Sequence, residues 1–269
     1  MRSAAPAGAS AGLGPAYAAA RARLGLVAAL FALAAVGWLW TAREMRGMDA
    51  GPWTSLGSLG WFLAIWVVMM AAMMLPSVAP TVSLYTRITR ERSPLSPWAF
   101  TVGYLLTWAT AGIAAYVLAG AVASTSDGAL AWDRAGHGFA GATLLAAAAY
   151  ELTPFKDVCL SKCRSPLGAL LGSWRDGVTG ALRMGARNGA WCVGCCWALM
   201  ASLFALGVMS VIWMGFVAGI IAVEKTLPWR GGLTVATAAL LTGVGILLLV
   251  APEALPWLTL PSDQTMPMG

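Results

Sequence analysis

The sequence predicts an all-α protein, a polytopic bundle of transmembrane helices. Three observations set this class. Hydrophobic residues make up 59% of the 269-residue chain and charged residues only 10%, against about 25% charged in a soluble domain. The apolar residues fall in runs of roughly 20, the length that crosses a bilayer as one helix. The basic residues gather in the short connections between those runs. The net charge of +6 therefore reads as membrane topology, and no nucleic-acid partner is expected. No 20-to-50-residue repeat, phosphate loop, catalytic triad or paired carboxylate is visible, so an enzyme is not expected.

Residues 1–23, rich in Ala, Gly and Pro with Arg2, Arg21 and Arg23, read as a flexible cytoplasmic tail. One membrane domain fills 24–252, and a short tail closes the chain at 253–269. The first span, 24–40, ends on Trp38 and Trp40 without a small-residue cleavage site, so it reads as an uncleaved helix. The second covers 59–81, with Pro76 and Pro80 favouring a kink near its end. The third covers 99–122. The fourth, 136–152, is rich in small residues that allow close packing. A basic cytoplasmic loop follows at about 153–190. The apolar stretch 192–223 is too long for one crossing and divides best at 207–210. The last span covers 231–250.

That makes about seven helices. With the N-terminus in the cytoplasm, only Arg43, Arg46 and Arg134 of the 17 basic residues lie outside. Six spans would move Lys225 and Arg230 outward and weaken this bias. Seven spans also place every soft ligand group at one depth, near the cytoplasmic face.

All five cysteines lie between positions 159 and 196. Cys192 stands i, i+3 from Cys195 and i, i+4 from Cys196, which puts the three on one helical face. Cys159 and Cys163 share a face if their segment is helical. Thiols are soft ligands. The free N–H groups of a helix start, expected near Cys192, favour the thiolate, as do Lys156, Lys162 and Arg164 near the other pair. A lone cysteine is more often a small apolar packing residue; two spaced groups favour ligation. Cytosolic thiols stay reduced, so a structural disulfide is not expected.

Met69/Met73 and Met70/Met74 form two adjacent i, i+4 pairs of thioethers. Such pairs suit copper(I) or simple packing. Glu151 is an ionisable residue in an apolar span, and so a partner that orients the thiols or a proton relay, or else an interfacial partner of Lys156 or Arg187. Glu224 and Lys225 read as ordinary interface residues, Asn188 as part of a helix cap. His137, the only histidine, falls at the opposite end of its helix from the thiols.

Three ordered segments then carry a family likeness: Trp66 to Pro76 with its methionines, Tyr150 to Arg164 with Cys159 and Cys163, and Gly189 to Met200 with Cys192, Cys195 and Cys196. Over about 60–230 the chain resembles the predicted metal-binding integral membrane proteins of bacteria (domain of unknown function 2182). At position 151 this chain has Glu where the resemblance implies Gln. The resemblance implies metal binding and, for some members, copper delivery.

The expected function is an integral membrane metal-binding protein of the bacterial inner membrane. It handles copper(I), or another soft metal, for transport or delivery to a membrane or soluble partner. The alternatives are a membrane thiol redox protein or sensor, and a structural or assembly subunit of a membrane complex.

Overall fold

The computed structural model describes residues 13–44, 57–89, 94–126, 137–172, 174–206, 211–226 and 231–251. Among these, every regular element is helical: α1 (Leu13–Glu44), α2 (Leu59–Thr89), α3 (Ser96–Ser126), α4 (His137–Glu151), α5 (Pro154–Arg164), α6 (Pro166–Leu171), α7 (Gly177–Leu206), α8 (Val211–Thr226) and α9 (Gly232–Val250).

Among the described residues, four helices are long and apolar enough to cross a membrane: Leu24–Glu44, Leu59–Thr89, Ser96–Val122 and Gly232–Val250. This departs from the expected seven. The fourth expected span is the 15-residue α4, the fifth is the second half of α7, which is not among the four, and the sixth is the 16-residue α8. α4 and α8 are shorter than the roughly 20 residues of an ordinary crossing. The first expected span reaches back to Leu13, into the segment read as a tail. Residues 1–12 and 253–269, also read as tails, lie outside the described residues.

Apolar side chains cover much of the described helical surface, and a few charged side chains are enclosed. Phe31, Val36 and Leu39 of α1, Leu106, Val117 and Leu118 of α3, and Ile246 and Leu249 of α9 are exposed. An apolar surface on this scale fits a lipid surround. Glu151, Lys156 and Glu224 are buried.

α3 packs along α7, α4 against α9, and α1 and α3 against α2. The α3–α7 seam is backbone against backbone. A methyl group at Gly103 would collide with the carbonyl of Leu182, and one at Gly185 with the carbonyl of Phe100. Small residues let membrane helices approach in this way.

Two expected boundaries are corrected. α2 does not end near Thr81 but runs through Pro76 and Pro80 to Thr89. Polar side chains meet nearby carbonyls there: Ser77 Oγ donates to Met74 O at 2.8 Å and Ser83 Oγ to Pro80 O at 2.8 Å. Pro76 and Pro80 themselves leave the carbonyls of Ala72 and Pro76 without their intrahelical donors, and membrane helices tolerate this where neighbouring helices support the segment.

The second correction concerns the basic loop at 153–190, which is almost wholly helical. Thr153 caps α5, accepting from Lys156 N at 3.4 Å, and Pro154 opens it. Ser165 and Pro166 repeat the device for α6. A side-chain cap followed by proline at the first helical position is a start signal. α7 then begins at Gly177, so Cys192 lies in mid-helix and Asn188 caps nothing. The break expected at 207–210 falls between α7 and α8; those four residues lie outside the described set.

Candidate metal centre

α7 brings Cys192, Cys195 and Cys196 to one buried face, with their sulfurs all within 4.8 Å of one another. The thiols of Cys195 and Cys196 donate to the carbonyl of Cys192 at 3.1 and 2.8 Å. An ion bonded to three sulfurs at about 2.3 Å in one plane spaces them about 4.0 Å apart. The trio needs to close by less than an ångström to reach that spacing. Its donors are sulfur, the ligand type that soft metals select.

α5 lies against this face. Lys156, Cys159, Leu160 and Cys163 follow the i, i+3, i+4, i+7 spacing of a buried stripe, and all but the half-buried Cys163 are buried. Cys163 Sγ is 3.7 Å from Cys195 Sγ. Cys159 Sγ sits over Gly194, 2.8 Å from where a β-carbon would stand. Tyr150 Oη donates to the carbonyl of the same glycine. The two cysteine groups of the sequence thus meet across the α5–α7 contact.

The expected thiolate-favouring surroundings of the α5 pair are not found. Burial pushes the Cys159 thiol above its usual range, with neighbouring Cys195 adding to it. Hydrogen bonding to Cys192 and Cys195 pushes Cys163 well up, and burial adds to that. Lys156 is turned away into the protein. It bridges Glu151 and Glu224, the latter at 2.8 Å. Glu224 is therefore a buried ion-pair member, not the interface residue expected. Arg164 Nε donates to its backbone carbonyl at 2.6 Å. Glu151 takes the Lys156 partner, of the two foreseen.

Met69, Met70, Met73 and Met74 are all buried in the core. Among the described residues, only Met74 of the four brings its sulfur to the thiols, 3.9 Å from Cys192 Sγ. Tyr104 Oη shares a hydrogen bond with the same Cys192 sulfur at 2.9 Å. Lys225 reaches in from α8, with Nζ 3.0 Å from Cys192 Sγ. Neither residue is marked as part of the site by the sequence around it. Their signal is weak, since a Tyr or Lys near a helix end is ordinary at a membrane interface. Met200 faces an apolar cavity of about 480 Å³ beside Trp66 and Trp108. His137 opens α4 at the end opposite Glu151, as expected.

Fold and site together define a helical protein with membrane-spanning potential and a buried soft-metal thiol cluster. The chain belongs to the PpoB2 family, described as copper chaperone, which matches residues 63–248. That range holds all five cysteines and the methionine stripe. The resemblance read from sequence is met at the level of a metal-binding family, under a different family description. No curated protein and no solved structure matches the chain.

Proposed function

We propose that the protein is a membrane-embedded chaperone that holds copper(I) and delivers it to a partner protein. The observation that carries this reading is the 3.7 Å approach of Cys163 on α5 to Cys195 on α7. It places a half-buried thiol at the rim of three buried ones. Copper(I) enters or leaves at Cys163 and is held by Cys192, Cys195 and Cys196. Met74 supplies a thioether from α2. Thiolate and thioether donors together favour copper(I) over harder ions. Each transfer step exchanges one sulfur ligand for another, so the ion stays bound throughout.

In this reading the protein sits in the bacterial inner membrane, with the thiols towards the reducing cytoplasm. Cys159 lines the entry. Met69, Met70 and Met73 pack the helix that presents Met74. Glu151 acts through Lys156, fixing α5 against α4 and α8.

Copper(I) titration of the purified protein tests this against a Cys192→Ser/Cys195→Ser/Cys196→Ser variant. The variant is expected to lose the tightly bound ion. Equal stoichiometry in both would sink the ligand assignment.

The same 3.7 Å approach favours one second reading, a thiol redox sensor in which Cys163 and Cys195 form a disulfide by passing two electrons and two protons to a quinone of the membrane. Alkylation trapping in intact cells separates the two readings. Thiols that stay reduced under every growth condition remove the sensor.

A further inference from the structure

We infer that Lys225 is a built-in counter-cation: its ammonium holds the place beside Cys192 and Met74 that copper(I) takes, and the two exchange one charge for one. This rests on the reading of Cys192 as a copper ligand.

Three helices converge on this ammonium. Nζ lies 3.0 Å from Cys192 Sγ on α7, and 3.2 Å from Ser77 Oγ and 3.8 Å from Met74 Sδ on α2. A lysine drawn into a protein interior is normally paired with a carboxylate. The neighbouring carboxylate, Glu224, is turned to Lys156 instead. Among the described residues the partners of Lys225 are a thiol, a thioether and a hydroxyl. These are the donors of a metal site, met by an amine.

An ion bonded to Cys192 at about 2.3 Å lies within about 5.3 Å of the ammonium as it now stands. Like charges repel strongly at that range when water is excluded, so ion and ammonium do not share the pocket. The lysine can leave. It stands in the last turn of α8 and is half-buried, and its charge rides on a flexible four-carbon stem.

At Cys192 the exchange balances: copper(I) brings one positive charge as the ammonium withdraws one, Lys225 keeps its proton and no electron moves. Cys195 and Cys196 each release a thiol proton to solvent as they join the ion. The return of the ammonium beside the sulfur assists release.

The test uses the full-length protein in detergent, with copper(I) and a chromogenic copper(I) chelator competing for it. Lys225→Gln is expected to bind copper(I) about tenfold tighter than wild type, the size of a typical coupling between two competing occupants. It should also give the ion up more slowly, while Lys225→Arg tracks the wild type. A folded Lys225→Gln protein that binds no tighter overturns the inference. Amine labelling of the wild-type protein, read by mass spectrometry at Lys225, supplies a second measure. Labelling should rise severalfold in protein whose copper content has been measured. Unchanged labelling in loaded protein overturns the inference. A Cys192→Ser control separates the two levels. If it keeps wild-type copper stoichiometry, the ligand reading falls. If it loses copper while Lys225→Gln behaves as wild type, only the role of Lys225 falls.

Discussion

The thiol sulfur of Cys192 lies 3.9 Å from the thioether sulfur of Met74, across the contact between α7 and α2. Two motifs separated by 118 positions thereby share one site. The contact also separates Met74 from the other three methionines of its stripe. Met74→Leu, which conserves volume, is expected to weaken copper(I) binding by about tenfold, within the range seen when a site's supporting groups are removed. Met69→Leu should leave it unchanged. Chelator competition on both variants checks this, and an equal loss in the two would remove the special place of Met74.

Lys156 is wholly buried between two glutamates. Lys156→Met leaves both carboxylates without their cation. Breaking a buried pair by removing one partner costs about 3–5 kcal/mol. Thermal unfolding in detergent should show the loss. Alkylation of Cys159 should rise as well, because α5 loses its anchor to α4 and α8.

Gly185 meets the carbonyl of Phe100 on α3 with no room for a side chain. Gly185→Leu should part α3 from α7 and cost at least the 1–3 kcal/mol or so of an overpacked core. The measurement is the melting temperature, with copper stoichiometry as a second readout. Tyr104 and Cys192 face each other across the same seam, so copper binding should fall with it. A variant as stable as wild type would contradict the packing.

The α5 thiols are held above their usual range by burial and by neighbouring thiols. Both therefore carry protons at neutral pH in the metal-free protein, and an ion that binds them must displace those protons. Affinity should rise with pH and fall as the solution is acidified, by up to about tenfold per pH unit for each thiol that becomes a ligand. Copper(I) competition at three pH values measures the slope. In a Cys159→Ser/Cys163→Ser variant the slope should be shallower. An identical slope would exclude both from the ligand set.

The helical class was legible because each apolar run announces itself through its own residues. The i, i+3, i+4 spacing of Cys192, Cys195 and Cys196 fixed their shared face once that run was helical. The segment 153–190 reads as a loop from its sequence because its charges outweigh its capping signals. Thr153-Pro154 and Ser165-Pro166 were there to be read. The same charges hide the start of α7: Arg183 and Arg187 suit a loop, yet both stand in the helix. Lys225 and Glu224 gave no local sign of their roles. They are adjacent in sequence, but one turns to a thiol and the other to a lysine.

The sequence by itself determined the solvent this chain suits and the metal chemistry open to it. Both follow from composition and short spacing: apolar length decides what can enter a bilayer, and sulfur decides which ions bind. Only the tertiary structure decided that α5 completes the α7 thiol cluster, that Met74 alone of its stripe joins it, and that an ammonium stands beside Cys192. The reason is physical. Whether a charge or a sulfur meets water or a partner depends on helices far apart in the chain, and no local pattern encodes that contact.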